Sequence, residues 1–151
     1  MMKYLLLTGS VFGLDTFLKA RMREADPGEK KGKWLTRRVM YNKGFAGSRL
    51  EDRPEVVKAA TVSAMAVLVP LLVQASRDKG AGVLTKAGLF AAAGGALSNA
   101  SERLLRGEVT DYCSLRTGDP RVDRYVFNLS DVMIAAGSAA ALAGQILHKK
   151  G

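Results

Sequence analysis

Apolar residues along this chain collect into four blocks separated by polar segments, instead of alternating with polar residues as in an amphipathic soluble fold. Each block is about 16 to 20 residues long, close to the roughly 20 residues that an α-helix needs to cross a bilayer core. The second block has no charged residue between positions 59 and 76. The pattern predicts four transmembrane helices, at residues 4–19, 57–76, 84–101 and 131–148.

The first block begins like a secretory signal, because Lys3 precedes an apolar run from Tyr4 to Leu14. Asp15 and Lys19 then follow, and the block lacks a convincing small-x-small cleavage site. We therefore interpret this block as a retained first transmembrane helix.

Three connections of unequal length join the four blocks. The link at 77–83 is a short hairpin, whereas the links at 20–56 and 102–130 are longer and polar. With an even number of spans, the two long links emerge on the same side of the membrane. At 151 residues the chain has the length of one domain, so we expect a single membrane domain over residues 1–151.

Two local patterns stand out in the first long link. Residues 33–41 are rich in β-formers and bounded by glycines, which is typical of a strand. Asp52 as N-cap and Glu55 at the third helical position predict a capping box at the start of the second span.

The spans are rich in small residues, which allow helices to approach closely in a membrane. Residues 91–96 form one such run, and Ala136, Ala140 and Gly144 follow at intervals of four in the last span. We therefore expect a tight four-helix bundle.

The chain carries 23 Lys and Arg residues against 14 Asp and Glu residues, a net charge of +9. In a soluble protein this excess would indicate nucleic-acid binding, but these residues flank predicted spans, and no zinc or RNA-binding signature accompanies them. Anionic lipid headgroups are the expected partner instead, and nucleic acid is not. A single cysteine, Cys113, and a single histidine, His148, argue against a disulfide, a metal site or another cofactor.

The distribution of positive charge bears on orientation. The two long links hold 15 Lys and Arg residues, ten in 21–56 and five in 102–130. By the positive-inside rule alone, these links would lie in the cytoplasm.

Ionisable residues at membrane depth are costly and usually mark function. Asp15 and Lys19 stand at i and i+4, the favoured order for a helical ion pair. One interpretation is a pair that holds the end of the first span at the interface. The other makes the pair part of a functional site.

Gly95, Asn99 and Arg103 recur at intervals of four and form one stripe that leads out of the third span, with Glu102 beside it. Amide and guanidinium donors are hard to explain on a lipid-facing surface. We expect Asn99 and Arg103 to point into the bundle, where they can hold a carboxylate or a substrate carbonyl. On its own, Arg103 is typical of a snorkelling residue.

Asp111 and Asp131 each lie where an apolar segment meets a polar loop. Taken singly, Asp131 is typical of an N-cap and Asp111 of an ordinary loop acid. Together, two carboxylates that share a proton are the minimum equipment for cleaving a peptide bond with water.

Along nearly its whole length the chain resembles the lipoprotein signal peptidases, the type II signal peptidase family of aspartic membrane proteases. Five segments carry the resemblance in the family's order, and the last three match together in spacing. The segments are 14–19 (L-D-T-F-L-K against D-x-x-x-K), 42–46 (N-K-G-F-A against N-x-G-A-A-F), 94–103 (G-G-A-L-S-N-A-S-E-R against G-G-A-L-G-N-x-x-D-R), 109–112 (V-T-D-Y against V-V-D-F) and 127–131 (F-N-L-S-D against F-N-x-A-D).

The resemblance implies that Asp111 and Asp131 are the catalytic dyad. It makes Asp15, Lys19 and Glu102 structural polar residues. It also implies an extracytoplasmic β-like cradle and a loop over the site, built from 20–56 and 102–130, against the charge count above. The residues expected to support the dyad or engage substrate are Asn42, Gly95, Asn99, Arg103 and Asn128.

The implied protein is an all-α, multi-pass monomer of the bacterial cytoplasmic (inner) membrane. Its implied partners are lipid-modified prolipoproteins, which it cuts before the diacylglyceryl cysteine, and membrane lipids; no cofactor is implied. Several positions depart from the family pattern, namely Ser98, Glu102, Phe45 and Gly47. The alternative is a catalytically weak or inactive member that binds lipopeptides as a scaffold.

Overall fold

A computed structural model describes residues 1–25, 28–45 and 49–148 and confirms a helix at each of the four apolar blocks. These helices extend a few residues beyond the blocks into the polar flanks. One further short helix lies in the second long link. The helices are α1 (Met2–Glu24), α2 (Pro54–Arg77), α3 (Val83–Arg106), α4 (Pro120–Asp123) and α5 (Leu129–His148).

The predicted capping box at the start of α2 is wrong. The N-cap is Arg53, which makes no side-chain capping bond, and Pro54 is the first helical residue. Proline suits this position because its φ is already helical and the N–H it lacks would have had no helical partner. The helix therefore begins between Asp52 and Glu55, and the reciprocal bonds of a capping box do not form.

A four-stranded antiparallel sheet in the order β1-β2-β3-β4 joins the two long links. The strand predicted at 33–41 is confirmed as β2, and the second link supplies two strands that the sequence reading did not place. The strands are β1 (Lys30–Lys31), β2 (Leu35–Asn42), β3 (Val109–Leu115) and β4 (Val126–Phe127). The pairing of Met40 with Asp111 and of Asn42 with Val109 brings Asn42 beside the strand that carries Asp111.

Helix α3 lies at the centre of the bundle and packs against α1, α2 and α5. Its small residues are buried, as the run at 91–96 predicts, although Ala96 itself is half-buried. A Cβ on Gly94 would lie 2.7 Å from the Thr8 carbonyl oxygen of α1, and one on Gly95 would lie 2.6 Å from the Ser130 carbonyl oxygen of α5. These adjacent glycines therefore let two helices approach α3 from two sides.

The small-residue face of α5 differs from the expected one. Gly144 lies in the contact, but Ala136 is exposed and Ala140 is half-buried, whereas Gly137 and Ala141 are buried against α3. A Cβ on Gly137 would lie 2.8 Å from the backbone nitrogen of Ala92. The expected stripe is wrong because an interval of four drifts around a helix of 3.6 residues per turn, and the packed face follows intervals of three and four.

Within the described residues, the two helices that are long and apolar enough to cross a membrane are α2 and α5. The outer surface of α2 is almost wholly exposed, since Val57 and Thr61 are its buried residues. Helix α1 carries charged residues, and α3 is built largely of small residues enclosed by other helices. The protein is thus mostly helical, with a small antiparallel sheet and membrane-capable helices.

Candidate active site

Asp111 and Asp131 line the same cavity, although they belong to different elements. Asp111 is the third residue of β3 and is 5% exposed, and Asp131 is half-buried in the first turn of α5. The cavity has a volume of about 370 Å³ and lies where the sheet meets α3 and α5. Its other lining residues are Asn42, Phe45, Asn99, Arg103, Val109, Tyr125, Val126 and Phe127.

Asn128 connects the two carboxylates. Its side-chain Nδ2 donates to Asp111 Oδ1 at 2.7 Å, and its backbone N–H donates to Asp131 Oδ2 at 3.1 Å. In return, the Asp131 backbone N–H donates to Asn128 Oδ1 at 2.9 Å. The two residues form a capping box at the start of α5, with Asn128 as the cap.

The expected N-cap role of Asp131 is therefore corrected: the N-cap is Asn128, three positions earlier. Asp131 is the third residue of α5, and it closes the capping box with Oδ2 alone. Its other oxygen, Oδ1, accepts a hydrogen bond from Asn99 Nδ2 at 2.9 Å. The Asp131 carboxylate therefore takes part in the helix cap and lines the cavity at the same time.

Asn42 supports Asp111 from the opposite strand. Its Nδ2 donates to Asp111 Oδ2 at 3.3 Å, while its Oδ1 accepts from the Gly44 backbone N–H at 3.0 Å and so fixes the amide. Burial and the nearby charge of Asp131 raise the pKa of Asp111 to about 6, against the opposing effect of the Asn42 and Asn128 hydrogen bonds. Near pH 6 the pair can therefore hold one proton between two carboxylates.

The orientation of Asn99 depends on Lys19. Lys19 Nζ donates to Asn99 Oδ1 at 2.6 Å, and Asn128 Nδ2 also donates to this oxygen, at 3.2 Å. With its oxygen taken by two donors, the Asn99 amide presents its nitrogen to Asp131. Of the predicted stripe, Asn99 therefore contacts one of the two carboxylates, that of Asp131, directly.

Gly95 and Arg103, the other members of the stripe, have different positions. Gly95 lies at the contact between α3 and α5 and not in the cavity wall. Arg103 lines the cavity, donates to the Gly44 carbonyl oxygen at 2.9 Å and lies over the Phe45 ring. It is half-buried and faces the site instead of snorkelling, and its Nε has no hydrogen-bond partner among the described residues. Ala46 and Gly47 of the altered loop lie outside the described residues.

Asp15 and Lys19 form the predicted ion pair, at 2.9 Å, but they are 0% and 3% exposed and lie inside the bundle instead of at its surface. Asp15 Oδ2 also accepts from Ser98 Oγ at 2.6 Å and from Ser130 Oγ at 2.5 Å. Ser98 and Ser130 replace the glycine and the alanine of the family motifs. Both departures thus converge on one buried carboxylate, next to the first turn of α5 and Asp131.

We expect the double variant Ser98→Ala/Ser130→Ala to be less stable than the parent chain. Each hydroxyl donates to a buried charged acceptor, and such a bond contributes about 1.5–3 kcal/mol. The measurement is the thermal unfolding midpoint in detergent, with the exposed Ser138→Ala on α5 as the control. A double variant with the midpoint of this control would contradict the role of the two hydroxyls.

Glu102 lies outside the cavity wall and joins three elements. Its carboxylate accepts from the Thr110 backbone N–H at 2.9 Å and from Arg23 Nε at 3.0 Å, and it lies 3.5 Å from Lys19 Nζ. These contacts tie the start of β3, one residue before Asp111, to α1 and α3.

Sequence reasoning missed Tyr112 and Arg23. The Tyr112 hydroxyl donates to Asp15 Oδ1 at 3.2 Å and accepts from the Leu129 backbone N–H at 2.9 Å, which anchors the start of α5. Burial and the Asp15 charge raise the pKa of Tyr112, so it remains a donor. The sequence did carry a signal for Tyr112. Successive residues of a strand face opposite sides of the sheet, so the residue after Asp111 is expected to point away from the cavity. Arg23, which bonds Glu102 and Glu108, carried no comparable signal.

Over residues 1–25, 28–45 and 49–148, no group of three or more His, Cys, Asp or Glu side chains is arranged to hold a metal ion. The polar side chains that line the cavity are the two carboxylates, the amides of Asn42 and Asn99, the guanidinium of Arg103 and the phenol of Tyr125.

Comparison with known proteins gives a consistent result. The family model described as signal peptidase (SPase) II matches residues 7–147. A curated protein named lipoprotein signal peptidase, from Mesorhizobium japonicum, is 28% identical over 147 residues, which cover 95% of this chain and 85% of that protein.

Two solved structures share the fold, and both are described as bacterial membrane enzymes determined by the in meso method. The first has a TM-score of 0.81 at 17% identity and covers 99% of this chain and 90% of its own. The second has a TM-score of 0.71 at 16% identity and covers 96% of this chain and 93% of its own. With the family model matched over almost the whole chain, this protein belongs to the signal peptidase II family.

Proposed function

We propose that Asp111 and Asp131 are the catalytic dyad with which this chain, an aspartic peptidase of the signal peptidase II family, removes signal peptides from lipoproteins. The observation that carries the proposal is the Asn128 bridge, whose side chain bonds Asp111 at 2.7 Å and whose backbone bonds Asp131 at 3.1 Å. Both carboxylates line one cavity. Because one asparagine donates hydrogen bonds to both carboxylates, the two acids are held close together.

The proposed mechanism is general acid–base catalysis by a carboxylate pair that shares one proton. The ionised carboxylate takes a proton from water as the water attacks the scissile carbonyl carbon. The protonated carboxyl polarises the carbonyl oxygen and then gives its proton to the leaving amine. Because the two groups titrate together, the role of base belongs to the pair.

The proposed substrate is a diacylglyceryl-modified prolipoprotein, cut just before its lipidated cysteine. The cavity wall combines apolar Val109, Val126 and Phe127 with the guanidinium of Arg103. This combination suits an apolar peptide whose backbone carbonyls need a donor. Asn42, Asn99 and Asn128 complete the proposed site by holding the dyad.

We further propose that all four long helices cross the membrane, in a multi-pass monomer of the bacterial inner membrane with 20–56 and 102–130 outside. Helix α1 supports this topology because Asp15 and Lys19 are buried inward, whereas its exposed face carries Leu5, Leu6 and Phe17. Helix α3 is enclosed by the other three, so it needs little apolar surface of its own.

The test of function is cleavage of a purified diacylglyceryl-modified prolipoprotein by the full chain in nanodiscs, with the unlipidated precursor as control. We expect cleavage of the lipidated form only. Binding of a lipidated peptide without turnover at any pH would instead support the scaffold alternative, which family membership does not favour.

The pH dependence of kcat/KM should have an alkaline limb governed by the dyad. Since burial and Asp131 raise the pKa of Asp111 to about 6, activity should fall above that pH as the second carboxyl loses its proton. Asn42 donates to the Asp111 carboxylate and favours the ionised form, so Asn42→Ala should raise the pKa and move the limb to higher pH. Asp78→Asn, in the α2–α3 hairpin, is the control and should leave the limb in place. A limb that moves to lower pH in Asn42→Ala would contradict this assignment.

A further inference from the structure

The end of the sheet farthest from the cavity has an unusual surface. Asn42 pairs with Val109 at the cavity end, and Leu35 pairs with Leu115 at the other end. A strand rises about 3.3 Å per residue, so Leu115 lies roughly 20 Å beyond Val109. We call this far end the sheet tip and define it as Lys30, Lys31, Lys33, Trp34, Leu35, Leu115 and Arg116.

At the sheet tip three apolar side chains point outward, while the polar cross-strand pair beside them is buried. Trp34 is 70% exposed, Leu35 48% and Leu115 42%, whereas the neighbouring pair Thr36 and Ser114 is buried at 8% and 2%. This is the reverse of a sheet with one face in water, where polar residues point out. An outward apolar patch of this kind marks a contact surface.

Cations surround the apolar patch. Lys30, Lys31, Lys33 and Arg116 are all exposed, and Lys33 Nζ lies 5.4 Å from the centre of the Trp34 ring. The nearest acid of the same hairpin, Glu29, is neutralised by its ion pair with Arg38. Arg116 lies near the carboxylate of Asp123, whereas Lys30, Lys31 and Lys33 form no ion pair with the described residues. The sheet tip therefore combines an exposed indole with an excess of positive charge, and this combination fits the headgroup region of an anionic bilayer.

We infer that the sheet tip docks on the anionic phospholipid headgroups of the leaflet beside the cavity, with Trp34 at the membrane interface. The inference rests on the proposed topology, which places the sheet outside the membrane. Because β3 carries Asp111 near one end and the sheet tip at the other, docking would hold the dyad strand over the leaflet from which a lipid-modified substrate enters. It also gives a role outside the cytoplasm to four of the 15 Lys and Arg residues in the two long links.

Trp34 is the only tryptophan of the chain, so its fluorescence reports on the sheet tip alone. The experiment uses the full chain in nanodiscs of phosphatidylcholine alone or mixed with phosphatidylglycerol. We expect anionic discs to shift the Trp34 emission to shorter wavelength and to increase its quenching by lipids brominated near the headgroup. Emission and quenching that are equal in the two lipids would overturn the proposal.

A charge-removal variant tests the role of the lysines. Lys30→Gln/Lys31→Gln/Lys33→Gln should lose the anionic-lipid shift, because each cation near an anionic surface raises the association about fivefold. The matched control, Arg77→Gln/Lys79→Gln/Lys86→Gln, removes three cations from the opposite end of the bundle and should keep the shift. A control variant that loses the shift equally would overturn the proposal, and so would heparin producing the same shift in zwitterionic discs, which points to a soluble polyanion as the partner.

The Trp34 fluorescence experiment can be interpreted independently of peptidase activity. Loss of prolipoprotein cleavage with an intact Trp34 shift would count against the proposed function alone. Normal cleavage with an unchanged Trp34 signal would count against the sheet-tip proposal alone.

Discussion

Asp111→Asn and Asp131→Asn should each abolish cleavage of a diacylglyceryl-modified prolipoprotein, with kcat lowered by at least about 10²–10⁴-fold. Asparagine has nearly the shape of aspartate and keeps one acceptor oxygen, but it can neither take a proton from water nor share one with its partner. The measurement is the single-turnover cleavage rate in nanodiscs near pH 6, where the parent dyad retains one proton.

Folding must be checked beside activity, because both aspartates also accept structural hydrogen bonds. In Asp131→Asn the remaining oxygen can still accept from the Asn128 backbone, but the new amide nitrogen meets Asn99 Nδ2, which is also a donor. We therefore expect a folded protein that is about 1–3 kcal/mol less stable, with a lower thermal midpoint than the parent chain. Asp78→Asn, far from the cavity, is the matched control and should be fully active. Full activity in either dyad variant would exclude the proposed mechanism.

Gly95→Ala should lower cleavage by about 10²-fold, although residue 95 does not touch the cavity. The added Cβ would lie 2.6 Å from the Ser130 carbonyl oxygen, and this backbone atom cannot yield without moving the first turn of α5. Asp131 is the next residue, so the displacement passes directly to the dyad. Overpacking of this kind should also cost about 1–3 kcal/mol of stability, measured as a lower unfolding midpoint.

Gly13→Ala provides the control for this prediction. A Cβ at position 13 of α1 meets no atom within 4 Å, so only helix propensity changes, by up to about 1 kcal/mol in favour of alanine. We expect unchanged cleavage and an equal or higher unfolding midpoint. If Gly95→Ala behaved like Gly13→Ala, the close approach of α3 and α5 would not be what positions Asp131.

The positions of the helices could be predicted because helix formation depends on residues close together in sequence. The absence of charge from 59 to 76 is sufficient to predict α2, and the small-residue run is sufficient to place α3 in a tight bundle. The start of α2 and the packed face of α5 were predicted wrongly, because in each case a second local effect outweighed the one used for the prediction. Helix α2 begins at Pro54, so the expected capping box does not form. In α5 the helix has 3.6 residues per turn, so Gly137 and not Ala136 lies on the packed face.

The residues proposed to support the dyad could be named from their motifs, but their contacts with other parts of the chain could not. Asn99 was expected to hold a carboxylate, yet the direction of its amide follows from Lys19, 80 residues away in the chain. The pair of Asp15 and Lys19 followed from spacing alone, whereas its burial did not, because Ser98 and Ser130 meet Asp15 only when α1, α3 and α5 pack together.

The sequence by itself determined the four helical blocks, the strand that became β2, the family resemblance and the acids expected at the site, because each depends on residue type and local spacing. Tertiary structure alone decided that Asn42 faces Asp111 through the β2–β3 register and that Asn128 spans both carboxylates. It also decided that Gly95 acts through packing instead of in the cavity. These contacts join distant parts of the chain, and their geometry is set only when the helices and the sheet pack against one another.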